Sequence, residues 1–352
     1  MWNPIDRIRQ RRARRRFIPR PRRPGVGTTA KLAIAALVVI VGIAAVLEMR
    51  GGGAAERTLL PYAREAQESP AELIGTAGRR HRLVFLGDVR GAAAPKAVAA
   101  EAIRTLAAGS GLDAVVLEIP ASEQPYLDQY FLTSPEDPGI LLSRPRAVRE
   151  SEGASRAWIE LYRTIWQANR ELGADRAIRV IAADLPDWPP TRALSPNAAG
   201  ALFGQRDAFM DARVDSLLLS RSSRTRALFF VDGLHALYGG ATLHAGGGQV
   251  GITWLAERMH RRYPRDVYTI LTDAAPARAF SPAVVTFRST GAWDLFRTRA
   301  AGTSSRYALP ITDAFDAVGA PVRVTAIPGT TFSLQPGGRL RDLADGYVYL
   351  AN

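Results

Sequence analysis

The strongest constraint on the fold is the alternation of short apolar runs with longer segments of helical spacing. The runs are rich in strand-forming residues and cover residues 82–87, 113–118, 178–184, 226–232 and 267–273. Apolar residues recur at helical spacing between them, over residues 96–108, 155–172, 197–219 and 249–261. Such alternation predicts an α/β domain with a mainly parallel sheet and helices on both faces.

The pattern is weaker beyond residue 280. Three short strand-like runs, at 283–287, 322–327 and 346–350, are separated by proline and glycine. They are candidates for an antiparallel edge of the sheet. We expect the stretches 133–153 and 274–320 to cover part of a site.

A long apolar run precedes the domain. Residues 32–47 contain no polar side chain, and Lys31 and Arg50 flank them, close to the roughly 20 residues that span a bilayer. We therefore predict a transmembrane helix over residues 32–49, followed by a linker or helical stem over 50–78 and the α/β domain over 79–352. A cleaved signal peptide is the alternative interpretation.

The net charge of +13 belongs mainly to the N-terminal tail. Residues 1–31 contain ten arginines and Lys31 against Asp6, which leaves a charge of only +3 for the remainder. The positive-inside rule places this tail in the cytoplasm and residues 50–352 outside it, whether in a periplasm or at a cell surface. Contact with anionic lipid headgroups explains the tail, and Phe17 is the one aromatic residue among its arginines, so we expect no nucleic-acid partner. The chain has no cysteine, which excludes disulfides and thiolate chemistry.

Acidic residues end four of the predicted strands. They are Asp88, Glu118, Asp184 and Asp232. Ligand sites in open α/β sheets form at the carboxyl ends of the strands. Acids concentrated at this edge therefore indicate a site, with ion pairing for structural reasons as the alternative.

Five residues near this edge are the candidate catalytic residues. Asp88 and Arg90 follow the first strand, where they could also form a simple turn pair, and Glu118 ends the second. Arg206 lies on the apolar side of a helix, so it needs a carboxylate partner, either Glu118 or Asp88. His235 follows the fourth strand, where an imidazole suits proton transfer at neutral pH.

The order of these motifs resembles the erythromycin-esterase-like and ChaN/TIKI superfamily. The resemblance rests on LGDVRG at 86–91, GLDAVVLE at 111–118, RVIAAD at 179–184, RDAFM at 206–210 and FFVDGLHA at 229–236. It covers roughly residues 80–273. The family has a glutamate and a histidine in the first turn, where this chain has Asp88 and Arg90. Arginine stays protonated, so Arg90 cannot act as a base or bind a metal.

Two functions from different classes remain open. The first is a membrane-anchored hydrolase of esters or amides, in which His235 is the general base, Glu118 orients or charges the site, and Arg90 and Arg206 stabilise an oxyanion. The resemblance also implies a metal-assisted variant with Asp88, Glu118 and His235 as ligands, although we expect no metal beside Arg90.

The second function is a non-catalytic binder of haem or another small ligand, as the ChaN resemblance implies. The candidate axial ligands for haem are Tyr126, Tyr130, Tyr238 and His244. The cofactor is therefore undecided between a divalent metal, haem and none. The expected partners are a small-molecule substrate or ligand and the lipids around the N-terminal segment.

Overall fold

The computed structural model describes residues 57–142, 152–188, 196–245, 248–274, 286–287, 305–317, 323–325, 330–335 and 339–351. Within these ranges, no helix combines the length and the apolar character needed to cross a bilayer. The predicted transmembrane segment 32–49 and the tail 1–31 lie outside the described residues, as do much of the predicted cover at 133–153 and 274–320.

Strands are separated by helices in the first part of the described chain, and the later part consists mostly of strands. The strands are β1 (Leu83–Asp88), β2 (Ala114–Pro120), β3 (Arg179–Asp184), β4 (Ala227–Asp232), β5 (Gly240–Ala245), β6 (Gly248–Thr253), β7 (Val267–Ala274), β8 (Thr286–Phe287), β9 (Arg306–Pro310), β10 (Arg323–Thr325), β11 (Thr330–Gln335) and β12 (Gly346–Leu350). The helices are α1 (57–66), α2 (Pro70–Arg80), α3 (Ala94–Gly109), α4 (Gln124–Leu132), α5 (Gly139–Leu142), α6 (Glu152–Leu172), α7 (Pro196–Val214) and α8 (Leu255–Arg262). A π-helical turn at Asp215–Leu219 follows α7.

A seven-stranded sheet has the order β3-β2-β4-β1-β7-β12-β9. The first six of these strands run parallel to their neighbours, and β9 is antiparallel to β12 at the edge. The predicted α/β class is confirmed, and so are the five predicted strands β1, β2, β3, β4 and β7, which lie side by side in this sheet and are called the central strands below, although β3 is at the edge. The run at 346–350 forms β12, which joins the sheet parallel to β7 and pairs with the antiparallel edge strand β9 on its other side.

Helices cover both faces of this sheet. Strand β1 is buried along its whole length, and its successive side chains point to opposite faces. Val84 and Leu86 pack in a cluster with residues of α2, α3 and α6. Phe85 stacks on Phe229 with ring centroids 4.1 Å apart, in a second cluster that includes residues of α7 and α8.

The expected stem at 55–78 is helical in α1 and α2. Ser69 and Glu72 form a capping box at the start of α2. Leu59 and Leu60 of α1 and Leu73 of α2 are buried in core clusters of the domain. This stretch therefore contributes to the packed core.

A second sheet was not expected from the sequence. It is antiparallel, with the order β6-β5-β11-β10-β8. The described parts of the runs at 283–287 and 322–327 lie in this sheet, so the prediction that they border the main sheet is wrong. The predicted helix 249–261 is correct only from Leu255 onward, where α8 begins. Residues 248–253 form strand β6 instead, which pairs with β5.

Candidate functional site

The carboxyl ends of the central strands bring acidic side chains together. Asp88 of β1 is in register with Asp232 of β4, and Asp184 of β3 is in register with Pro120 at the end of β2. The pairing of β2 with β3 shifts its register between Leu117 and Pro120. Glu118 lies in this irregular segment, and such an irregularity can redirect a side chain at the edge of a sheet.

Glu118 is the centre of the charge network. Its Oε1 accepts hydrogen bonds from Arg90 Nη2 at 2.7 Å and from Arg206 Nη2. Its Oε2 accepts a hydrogen bond from the backbone N–H of Asp232 at 2.5 Å. Both carboxylate oxygens are therefore engaged, and the side chain is only 6% exposed.

Arg206 joins Glu118 to Asp184. Its Nε and Nη2 donate to the two oxygens of Asp184, at 3.0 and 2.7 Å, in the bidentate geometry that guanidinium favours. The guanidinium carbon lies 3.8 Å from the ring centroid of Trp188. The side chain of Arg206 is only 2% exposed, so it is covered from solvent. Its hydrogen bond to Glu118 holds that carboxylate in position.

His235 is held by a buried carboxylate. Its Nδ1 lies 2.7 Å from Asp207 Oδ1, which also accepts a hydrogen bond from the backbone N–H of Leu255 at 2.7 Å. Asp207 Oδ2 is buried and has no hydrogen-bond partner among the described residues. His235 Nε2 lies 3.8 Å from Glu118 Oε1, so the imidazole joins the same network.

Arg90 is the most exposed charged group of the network. Its side chain is 27% exposed, its Nη2 bonds Glu118, and its Nε lies 3.7 Å from Asp232 Oδ2. It can therefore meet a molecule that enters from solvent. Arg90 does not pair with Asp88, although a turn pair was one expectation from the sequence.

Asp88 belongs to a separate buried ion pair. Lys96 Nζ donates to both of its carboxylate oxygens, at 2.9 and 2.8 Å, and the lysine side chain is fully buried. The same Nζ lies 5.5 Å from the ring centroid of Trp158. This pair fixes the end of β1 to the first turn of α3.

The network shifts the pKa of two carboxyl groups in opposite directions. Burial alone would raise the pKa of Glu118, but the positive charges of Arg206, His235 and Arg90 outweigh it and hold that pKa well below its usual range. Burial raises the pKa of Asp232, and the negative charge of Glu118 adds to this effect.

The pKa of His235 is raised. Burial alone would lower it, but the carboxylates of Asp207 and Glu118 and the hydrogen bond that Nδ1 donates to Asp207 more than compensate. The imidazole is therefore protonated over a wider pH range than a free histidine.

The structure brings four of the five predicted residues together: Glu118, Arg90, Arg206 and His235. The fifth, Asp88, ends the adjacent strand but is paired elsewhere. Asp207 and Lys96 were missed, and each carried a signal in the sequence. Asp207 lies three residues before Met210 on the buried face of α7, and Lys96 lies three before Ala99 on the apolar face of α3.

The described residues of this site do not fit a metal ion. Among the described residues, no group of three or more histidine or acidic side chains is arranged to hold a metal ion. Of the ligands that the metal-assisted variant would need, Asp88 is neutralised by Lys96, and Glu118 by two arginines.

The candidate haem ligands lie on different elements. Tyr126 and Tyr130 belong to α4, and the Tyr130 hydroxyl donates to Glu136 at 2.7 Å. Tyr238 donates to Asp345 at 2.5 Å, and His244 lies in β5 of the second sheet. The geometry thus favours no axial ligand among them.

Comparison with known proteins identifies the fold. No protein-family profile matches the chain, and no curated protein matches it. Among solved structures, a histidine-to-asparagine mutant of the erythromycin esterase EreC in its open conformation has a TM-score of 0.53 at 13% identity, over 79% of this chain and 92% of that one. The chain has the erythromycin esterase fold.

Two further solved structures give the same result. A protein from Bacillus cereus has a TM-score of 0.56 at 10% identity, over 84% of this chain and 97% of that one. A succinoglycan biosynthesis protein has a TM-score of 0.57 at 9% identity, over 84% and 96%. At these identities the likeness establishes the fold, which agrees with the expectation from the motif order, and it establishes nothing about activity.

Proposed function

We propose that this protein hydrolyses esters or amides at the carboxyl edge of its main sheet. The observation that carries the proposal is the buried pair of Asp207 and His235. Asp207 binds Nδ1 of the imidazole, so the ring is oriented and Nε2 faces the arginine–carboxylate network. An acid that orients a histidine in this way is a recurring feature of general-base catalysis.

His235 Nε2 takes a proton from water in the proposed reaction. The water oxygen then bonds to the carbonyl carbon of the substrate, and the carbonyl oxygen becomes an oxyanion. Arg90, the most exposed charged group of the network, stabilises that charge. When the intermediate collapses, the bond to the leaving alcohol or amine breaks, and the imidazolium returns its proton to the leaving group.

Arg206 acts through Glu118 in this scheme. Its guanidinium is enclosed by Trp188 and bound to Asp184, so it holds Glu118 in place without contacting the substrate. Glu118 in turn faces both Arg90 and His235, and its negative charge favours the imidazolium that forms during the reaction.

The test is turnover of a panel of chromogenic esters by the full chain in non-ionic detergent. His235→Asn should lower kcat by about 10²–10⁴-fold, the usual contribution of a general base. His81→Asn is the matched control, since His81 precedes β1 at the opposite edge of the sheet. Equal turnover by the wild type and His235→Asn would remove the basis of the proposal. Repeating the assay with added divalent metal and with a chelator tests the metal-assisted variant.

A second candidate function is the binding of a small ligand without catalysis. It is favoured by the saturation of Glu118, whose two oxygens are already bound by two arginines and a backbone N–H. Absence of turnover for every ester, together with ligand binding that Arg90→Gln abolishes, would support it. A haem absorbance band that is lost in Tyr238→Phe would support the haem-binding form.

We also propose that the chain is a divergent member of the erythromycin-esterase-like and ChaN/TIKI superfamily. The fold and the order of the motifs support this. The chain diverges from the family in the first turn, where Asp88 and Arg90 replace the family's glutamate and histidine. Arg90→His restores the residue type that the family has in the first turn, so a gain of turnover in this variant would support membership. Further loss of turnover would count against it.

The N-terminal segment is proposed to anchor the protein in a membrane. The apolar run at 32–47 supports a single span over 32–49, with the tail 1–31 in the cytoplasm and the α/β domain outside. Membranes extracted at alkaline pH should retain the chain, and protease added from outside should remove the domain but spare the tail. Release of the intact chain by alkaline extraction would contradict the anchor.

A further inference from the structure

The amino edge of the main sheet is strongly basic. The segments that enter the five central strands, residues 79–82, 110–113, 173–179, 220–226 and 261–266, contain arginines at 79, 80, 82, 176, 179, 221, 224, 226, 261, 262 and 265. Their only acids are Asp113, Asp175 and Asp266, so these short segments together carry a net charge of +8. That charge exceeds the +3 of all residues beyond the N-terminal tail, so the rest of the domain is acidic on balance.

These segments lie side by side. Leu83 at the start of β1 is in register with Ala227 of β4 and with Val267 of β7. Ala114 at the start of β2 is in register with Arg179 of β3 and with Ala227. Neighbouring strands are about 4.8 Å apart, so the five strands carry the charge across roughly 20 Å of one edge.

Most of this charge is not neutralised within the domain. Three of the arginines are paired with carboxylates: Arg82 with Asp266, Arg261 with Glu257, and Arg262 with Asp211 and Asp215. The other eight have no carboxylate partner among the described residues; they are the arginines at 79, 80, 176, 179, 221, 224, 226 and 265. Arg226 is half-buried, and the other seven are exposed.

The chemistry of this edge fits a surface of anionic headgroups. The two aromatic rings in these segments, His81 and Tyr263, are both half-buried. His81 lies against Tyr268, with ring centroids 5.2 Å apart, and Tyr263 lies beneath the guanidinium carbons of Arg82 and Arg262, at 5.6 and 5.8 Å from its centroid. No exposed ring is therefore available for the base stacking that single-stranded nucleic acids use.

The proposed anchor would tether the domain close to such a surface. Nine residues separate the end of the apolar run at 47 from the start of α1 at 57, and they can span at most about 30 Å. A domain tethered this closely experiences a high local concentration of lipid headgroups.

We propose that the amino edge of the sheet docks on the anionic phospholipids of the membrane in which the chain is anchored. This inference rests on the proposed anchor but not on the proposed catalysis. The candidate site lies at the carboxyl edge, six residues further along β1 and β4 or roughly 20 Å away, so docking turns the site away from the bilayer and toward solvent.

The absence of cysteine makes the test direct. The full chain is reconstituted in phosphatidylcholine nanodiscs with or without phosphatidylglycerol, and one fluorophore is attached to Ser223→Cys at the amino edge or Ser122→Cys at the carboxyl edge. A quencher on the lipid headgroups should quench only the Ser223 label, only in discs with phosphatidylglycerol, and less at high salt. Changing Arg80, Arg224 and Arg265 to Gln should lower the docked-to-undocked ratio on the order of 100-fold.

A matched variant separates position from net charge. Arg156 and Arg306 are exposed and lie toward the carboxyl edge, near the start of α6 and opposite Leu350 at the end of β12. Changing both to Gln should leave the quenching unchanged, whereas changing Arg224 and Arg265 to Gln removes the same charge and should reduce it. Equal quenching in both kinds of disc, an unchanged signal in the amino-edge variant, or quenching of the Ser122 label would overturn the proposal. Displacement of the edge from anionic discs by stoichiometric RNA or an acidic polypeptide would also overturn it, in favour of that partner.

Separate measurements test the proposed anchor and the proposed docking. Co-elution of the chain with discs of phosphatidylcholine alone measures the anchor. If the chain does not co-elute, the anchor is refuted, while quenching of the Ser223 label on anionic discs still decides whether the edge binds lipid.

Discussion

Removal of the Arg206 guanidinium should strongly destabilise the fold. Arg206 binds Asp184 through two nitrogens and Glu118 through one, and its side chain is 2% exposed. Breaking a buried ion pair by removing one partner costs about 3–5 kcal/mol, because the other charge stays buried. Since domains of this size lose about 2–4 °C per kcal/mol, Arg206→Met should lower the Tm on the order of 10 °C.

The loss of stability in Arg206→Met should depend on pH, and the lowered pKa of Glu118 decides the direction of that dependence. The pKa of Glu118 is lowered in the folded protein, so this group stabilises the fold above the pKa of an unfolded glutamate, about 4.3. That contribution disappears as the pH falls through the lowered folded pKa. Arg206→Met removes a main cause of the lowering, so the Tm difference from wild type should be largest at neutral pH and should shrink below about pH 4.

The assay is thermal unfolding of the full chain in non-ionic detergent, followed by tryptophan fluorescence at neutral and acidic pH. Arg213→Met is the matched control, because Arg213 lies on the same helix and its Nε donates only to the backbone carbonyl of Ala182. Its loss should cost only about 1 kcal/mol. A Tm for Arg206→Met no lower than that of Arg213→Met, or a difference that persists in acid, would refute the reasoning.

Three further changes test other parts of the structure. Asp207→Asn should move the acidic limb of the pH dependence of kcat/KM to lower pH, because the Asp207 carboxylate raises the pKa of His235, which must be neutral to act as a base. Lys96→Met should lower the free energy of unfolding by about 3–5 kcal/mol by removing the ammonium that donates to both oxygens of the buried Asp88 carboxylate, and Asp88→Asn in the same chain should restore much of it. Gly240→Ala should destabilise the second sheet by about 1–3 kcal/mol or more, since a Cβ there would lie 2.1 Å from a backbone oxygen of β6; thermal unfolding measures the last two.

Each of these changes has an outcome that contradicts it. An unchanged acidic limb in Asp207→Asn would mean that another group sets the pH dependence. A Lys96→Met protein as stable as wild type would show that the pair with Asp88 contributes little. Gly251→Ala, where a Cβ would meet nothing within 4 Å, is the control for the glycine change, and equal Tm values for the two variants would exclude the clash.

The main sheet could be predicted because its signal is local. Strands β1, β3 and β4 each contain an apolar run that ends in an aspartate, and a run buried on both faces looks the same whatever it pairs with. The second sheet could not be predicted. Its strand β6 carries Gly248 and Gly251 and has no strong alternation, so only its pairing with β5 reveals it as a strand.

The candidate site was predictable as a set of residues but not as a set of pairs. Strand ends identified Glu118 and His235 because a charged or titratable group next to an apolar run is costly unless it has a partner. The identity of the partner depends on residues distant in the chain. Glu118 lies 88 residues before Arg206, and Asp207 lies 28 before His235.

The sequence by itself determined the α/β class, the mainly parallel sheet with its intervening helices, and the edge at which charged side chains collect. These features depend on periodicity and on where each apolar run stops. Tertiary structure alone decided that Asp88 pairs with Lys96, that Arg206 is enclosed beneath Trp188, and that eleven scattered arginines form one basic edge. The physical reason is that ion pairs and surface charge depend on distances in space, and the order of the strands in the sheet differs from their order in the chain.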